Sequence, residues 1–198
     1  MLLKARTRHT RYAAVPFVLA LLVTDSSWRS WPLINEVYQW AGYFALVLCV
    51  MGRAWCSAYI GGRKNYELTA IGPYSVVRNP LYVFSFIGVV GIGLCTGTVT
   101  YLAILTLLFA GYYAVVVWRE EKFLAATFGD DFANYTARVP RWIPDFSLWS
   151  DTEEIVVKPR FIFFTFRDSA LFFLAFPLLD LIAYFHGIGI LPVLWRLP

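Results

Sequence analysis

Apolar residues run in blocks along this chain, and polar residues gather where the blocks end. The first block covers about 12–24. The second runs over 36–60; its first half is apolar, and Arg53 interrupts its second half. A third starts at Pro80 and reaches Cys95, and a fourth covers 98–118. A helix needs ~20 residues to cross the hydrocarbon core, so each block is long enough only if the shorter ones, the first and third, borrow from their flanks. The third and fourth are joined by "TGTVT" and form a tight antiparallel hairpin. Beyond them Leu124, Phe128, Phe132, Tyr135 and Val139 recur at three- and four-residue spacing, with Asp130, Asp131, Asn134 and Arg138 between. That is the pattern of an amphipathic helix lying at the interface, and "RVPRWIP" ends it with two prolines. From Arg160 the chain is apolar again, broken by Arg167, Asp168, Pro177, Asp180, Gly187, Gly189 and Pro192. This last part reads as one kinked span or a re-entrant hairpin. The predicted fold is an all-α integral membrane bundle of about five transmembrane helices, one domain over 1–198.

Composition agrees with this reading. Hydrophobic residues make up 59% and charged residues 15%, where a soluble domain carries about a quarter charged. The formal charge of +4, 17 Lys+Arg against 13 Asp+Glu, is too small and scattered for nucleic acid. Its distribution instead fits the positive-inside bias. Lys4, Arg6, Arg8 and Arg11 precede the first block. Arg63, Lys64 and Arg78 follow the second. Arg119, Lys122, Arg138, Arg141, Lys158 and Arg160 follow the fourth, whereas the other side has Arg29 and, if the last segment crosses, Arg196. The rule places the N-terminus, the 61–79 loop and the 119–160 segment in the cytoplasm, where the two polar segments can meet. The N-terminal block has no small-residue cleavage site and reads as a retained span. Cys49, Cys56 and Cys95 form no CxxC pair and no Cys/His cluster, so no metal is expected, and buried packing thiols are. His9 reads as a tail residue, and His186 as a lone interfacial histidine or a ligand.

The polar segments carry the candidate chemistry. In "GPYSVVRNPLY", Gly72-Pro73-Tyr74 makes a turn and Asn79-Pro80 opens a helix. A helix N-terminus with Arg78 beside it suits a carboxylate or phosphate; it equally suits a capped helix with a topological arginine. Glu120 and Glu121 leave the membrane together, about 100° apart on a helix, so one can face the bundle and the other water. An inward glutamate could hold an ammonium or a ribose hydroxyl; an interfacial charge cluster is the other reading. Tyr135 and Arg138 share a face, as a site or as headgroup anchors, and Tyr82 and Trp142 also fit an aromatic belt. Together these features ask for a zwitterionic ligand with a further cation near aromatic rings, a description that S-adenosyl-L-methionine meets.

The ordered set resembles the isoprenylcysteine carboxyl methyltransferase family and its bacterial and phospholipid-methyltransferase relatives. The residues that carry the resemblance are Gly72-Pro73-Tyr74, Arg78-Asn79-Pro80-Leu81-Tyr82, Glu120-Glu121, Phe128-Gly129, Phe132, Tyr135 and Arg138-Val139-Pro140, within about 61–144. The resemblance implies S-adenosyl-L-methionine bound on the cytoplasmic face by Tyr66, Glu67, Leu68, Thr69, Tyr74, Arg78, Asn79, Pro80, Leu81, Tyr82 and Glu120. It implies a lipophilic acceptor that enters from the bilayer, with Glu121 and Arg138 as catalytic candidates. For an amine acceptor, Glu121 or Glu67 would be the base. Three departures stand out. Asn79 replaces the family histidine. Val116 stands where eukaryotic members carry a substrate arginine, with Arg119, Arg138 or Arg141 as substitutes. Residues 145–198 lie beyond the usual family ending. The rival expectations are N-methylation of an amine headgroup, an NADPH-dependent sterol-reductase-like enzyme, or a membrane protein without enzymatic activity.

Overall fold

A computed structural model of the chain describes residues 15–63 and 66–198. The basic tail residues Lys4, Arg6, Arg8 and Arg11, together with His9 and Lys64, lie outside the described residues. The architecture is an all-α membrane bundle. The described part of helix α1 is 15–21. It is followed by α2 (Pro32–Ile60), the one-turn α3 (Pro73–Val76), α4 (Pro80–Cys95), α5 (Val99–Phe128), α6 (Asp130–Arg138) and α7 (Pro159–Gly187). Helices α2, α5 and α7 are each long and apolar enough to cross a membrane, and α4 is a shorter apolar helix between them.

Proline at the first position starts α2, α4 and α7, where its missing N–H costs nothing. Thr98 caps α5, its hydroxyl accepting from the Tyr101 N–H. Helix α5 runs ten residues past the expected end of the fourth span. It stops at Gly129, whose φ of 52° breaks the helix and starts α6 at an angle. The last segment forms one continuous helix, long and apolar enough to cross, in place of a re-entrant hairpin. Pro177 sits inside it, which a membrane helix tolerates where neighbours re-satisfy the freed backbone.

Helices α2 and α4 form the centre of the bundle. A Cβ on Gly42 would lie 2.6 Å from the Cys95 sulfur, and one on Gly91 2.9 Å from the Gly42 carbonyl. Small residues thus bring two backbones together, which is how helices associate where lipid offers no hydrophobic drive. Cys49, Cys56 and Cys95 are free thiols buried in this packing. Helix α7 lies along α2 and α4, and α5 packs mainly on α4.

The far end is closed by a short parallel ribbon, β1 (Thr24–Ser26) with β2 (Trp195–Leu197), in register Thr24–Trp195, Asp25–Arg196 and Ser26–Leu197. No alternating pattern announces these three-residue strands. His186 is buried at this end, its ring nitrogen 3.1 Å from the Leu22 carbonyl oxygen. It is a core histidine rather than an interfacial one. At the other end, the ends of α2 and α5 and the starts of α4 and α7 gather around the two polar segments. Tyr59 OH donates to Asp151 (2.7 Å) there, and Lys158 Nζ to the Gly62 carbonyl (3.3 Å).

Candidate functional site

The Gly72-Pro73 turn positions the centre of the site. Gly72 has φ 57°, and a Cβ there would lie 2.2 Å from the Tyr59 ring, so only glycine fits. The turn feeds α3 and carries Tyr74 inward. Tyr74 is buried, and its hydroxyl has no hydrogen-bond partner. Burial pushes its phenol well above the ordinary value, and Cys56, Tyr135, Tyr82 and Glu120 face it and push the same way. Thr69 Oγ1 is also buried without a partner. Buried polar atoms usually find partners, so the orphaned Tyr74 hydroxyl facing Glu120 marks a place where a polar ligand fits.

Glu120 and Glu121 diverge as their helical spacing requires. Tyr82 OH donates to Glu120 Oε2 at 2.8 Å, which ties the first turn of α4 to α5. Glu121 is clamped by two guanidinium groups. It accepts from Arg78 Nη1 (3.2 Å) and from Arg141 Nε (3.1 Å) and Nη2 (2.6 Å). Arg78 also donates through Nε to the Val139 carbonyl (2.8 Å) and through its backbone N–H to Pro140 (2.9 Å).

Asn79 occupies the cap position of α4, but its side chain makes no cap bond; Nδ2 reaches the Arg141 carbonyl at 3.4 Å. The Tyr82 and Val83 amides already donate to the Asn79 carbonyl, so the helix start is less open than its sequence implies. Pro80 is buried, and Leu81 packs against the Cys56–Tyr59–Tyr74 cluster. Tyr135 OH donates to the Tyr74 carbonyl at 2.8 Å, and burial pushes its phenol up, opposed by Arg78. Leu68 joins Phe132, Tyr135 and Val139, so the stripe predicted on the amphipathic helix does form a packed face.

The structure thus brings together Tyr74, Arg78, Asn79, Pro80, Leu81, Tyr82, Glu120 and Glu121. Tyr66, at 85% exposure, stands in solvent, and Glu67 is exposed with a long pairing to Arg63 at 3.7 Å. Arg138 is exposed on α6 and lines an open cleft with Arg78, Ile143 and Phe146.

Two contributors had no sequence signal. Residues 139–151 strap the turn. The Gly72 N–H donates to the Ser150 carbonyl (2.7 Å), the Ser150 N–H to Ser75 Oγ (3.0 Å), and the Asp145 N–H to the Val76 carbonyl (2.9 Å). Trp149 stacks on Trp55 with centroids 5.8 Å apart. The second is a ladder of rings descending between α4 and α5: Tyr82–Tyr113 at 4.8 Å, Tyr113–Phe109 at 4.1 Å and Phe109–Phe86 at 5.9 Å. Only their helical spacing, read on both helices together, could have found it.

Residues 42–131 match the model of the family described as "Phospholipid methyltransferase". The chain is similar to the cobalt-zinc-cadmium resistance protein CzcN of Cupriavidus metallidurans, at 34% identity over 89% of this chain and 82% of that protein. It is similar to the nickel-cobalt-cadmium resistance protein NccN of Alcaligenes xylosoxydans xylosoxydans, at 36% identity over 76% and 72%. A shorter likeness, 31% over 41% of this chain and 34% of the relative, joins it to the protein-S-isoprenylcysteine O-methyltransferase of Schizosaccharomyces pombe. No solved structure matches. Among the described residues no three His, Cys, Asp or Glu side chains group as metal ligands.

Proposed function

This chain belongs to the phospholipid methyltransferase family of integral membrane proteins, and on that premise we propose that it transfers a methyl group from S-adenosyl-L-methionine to a lipid or lipidated acceptor. The observation that carries the reading is the buried, unpartnered Tyr74 hydroxyl facing the Tyr82–Glu120 pair. When bound, the donor supplies a sulfonium methyl already activated for in-line displacement. What remains for the protein is to position and desolvate the reactants.

The residues fit that task. Glu120, oriented by the Tyr82 phenol, accepts from an ammonium or a ribose hydroxyl. Tyr74 and Thr69 offer their hydroxyls to the ligand's polar edges. The Asn79 side-chain amide, at the positive end of the α4 dipole, is assigned to the ligand's carboxylate. The Tyr82 and Tyr113 rings provide π faces for a cation, an attraction worth ~0.5–2 kcal/mol. Glu121 is assigned to hold Arg78 and Arg141, and so the strap, in place. Arg138 is assigned to the acceptor headgroup in the open cleft, and the aromatic ladder between α4 and α5 to the acceptor's chain. The pocket is cytoplasmic in this reading, as the basic residues around it favour.

Calorimetric titration of the detergent-purified chain with S-adenosylhomocysteine tests the proposal, beside Glu120→Ala and an NADPH control. Wild-type binding that is lost in Glu120→Ala is expected. NADPH binding, or no binding by a folded wild type, overturns it. Labelled donor with lipid extracts then identifies the acceptor.

A further inference from the structure

Arg53 lies on α2 seven residues before its end at Ile60. A helix of 29 residues is about 43 Å long, and the hydrocarbon core about 30 Å thick. If α2 is centred, Arg53 sits about 4 Å inside the apolar boundary. An arginine at that depth is costly and generally has a purpose. The usual solutions are a carboxylate partner or an escape to the headgroups, and Arg53 shows neither. Its Nε donates to Ser169 Oγ on α7 at 2.7 Å, and its Nη1 donates to Ser85 Oγ on α4. No acidic side chain lies within ion-pair distance of it among the described residues. Ser85 in turn donates to the Leu81 carbonyl at 2.7 Å, which fixes its hydroxyl for the guanidinium. Ser85 and Ser169 are both buried, at 3% and 0% exposure.

Two neutral hydroxyls orient this cation without neutralising it. They engage Nε and Nη1 of the planar fork. Nη2 has no partner among the described residues, and the side chain is half-buried rather than sealed. A guanidinium with a fixed plane, an unused Nη2 and apolar surroundings is suited to a charge-assisted hydrogen bond with an oxyanion. At this depth the oxyanion must arrive on a lipid chain, because a free anion would have to leave water alone.

We propose that Arg53, with Ser85 and Ser169, forms an intramembrane site for the acidic group of a lipid, a carboxylate or phosphate monoanion on an acyl or prenyl chain. The site lies one helical turn below Tyr82 on α4, yet its occupancy does not require the methyl donor. The pairing is non-covalent and supplies the negative charge that the bundle lacks around Arg53.

The test follows tryptophan fluorescence through thermal unfolding of the purified full chain without methyl donor. Oleate, oleyl alcohol, oleyl phosphate and inorganic phosphate are the probes. Oleate or oleyl phosphate is expected to raise the midpoint well beyond oleyl alcohol. Arg53→Met should abolish that difference, and Arg160→Met, at the exposed start of α7, should keep it. Ser85→Ala and Ser169→Ala retain the charge but free the fork, and each should raise the oleate concentration needed by roughly tenfold. These two variants serve if Arg53→Met does not fold. Equal shifts from oleate and oleyl alcohol overturn the proposal, as does an undiminished oleate shift in Arg53→Met or in both serine variants. An inorganic phosphate effect matching that of oleate also overturns it, since the anion would then come from water. Because no donor is present, failure here is distinct from failure of the methyltransferase reading.

Discussion

Tyr74 and Tyr82 carry similar phenols but differ in what they already bond. Tyr82 spends its hydroxyl on Glu120, whereas the Tyr74 hydroxyl is buried and unspent. Leaving a buried donor unmade costs about 1–3 kcal/mol. Tyr74→Phe should therefore leave the thermal midpoint of the ligand-free protein unchanged or higher, while weakening S-adenosylhomocysteine binding several-fold by calorimetry. A merely structural Tyr74 would lower both together. Tyr82→Phe removes a hydrogen bond to a charged group, worth about 1.5–3 kcal/mol. It should weaken binding by about tenfold or more, and here the midpoint falls as well because α4 loses a tie to α5. The Glu120–Glu121 pair shows what could be read at this scale. Helical geometry separates the two carboxylates, but only their contacts show that Glu121 meets two arginines.

At the scale of elements, the strap and the turn stand together. Gly72 accepts no side chain, since alanine would combine a φ of 57° with a 2.2 Å approach to the Tyr59 ring. Gly72→Ala should cost at least ~2 kcal/mol and lower the unfolding midpoint. The same turn sets an alkaline limit. Tyr74 and Tyr135 both have phenols raised by burial above the ordinary value of 10. A raised folded pKa means the folded state holds its proton where the unfolded state loses it. Their stability contribution is therefore complete below pH 10 and declines as pH rises beyond it. Unfolding midpoints measured across that range should fall, and Tyr74→Phe should flatten the decline. The amphipathic stripe after span four was readable because its period is local. The extension of α5 to Phe128 was not, because the break comes from one backbone angle at Gly129.

For the whole molecule, the arrangement places both polar segments at one end of the bundle and the β1–β2 ribbon at the other. Ser147 lies in the strap and is exposed, and the native cysteines are buried. In sealed vesicles of known orientation, Ser147→Cys should label with a membrane-impermeant maleimide from the cytoplasmic side alone. Labelling from the opposite side would invert the proposed topology. The sequence by itself determined that the chain is an α-helical membrane protein, because hydropathy and helical period are properties of consecutive residues. It also marked the ordered turn, helix start and paired glutamates on which the family likeness rests. The tertiary structure alone decided that Tyr82 meets Glu120, that residues 139–151 strap the turn, and that Arg53 rests on two serines. Each of these joins side chains or backbone dozens of residues apart, and such contacts depend on how helices lie against one another, which no local pattern records.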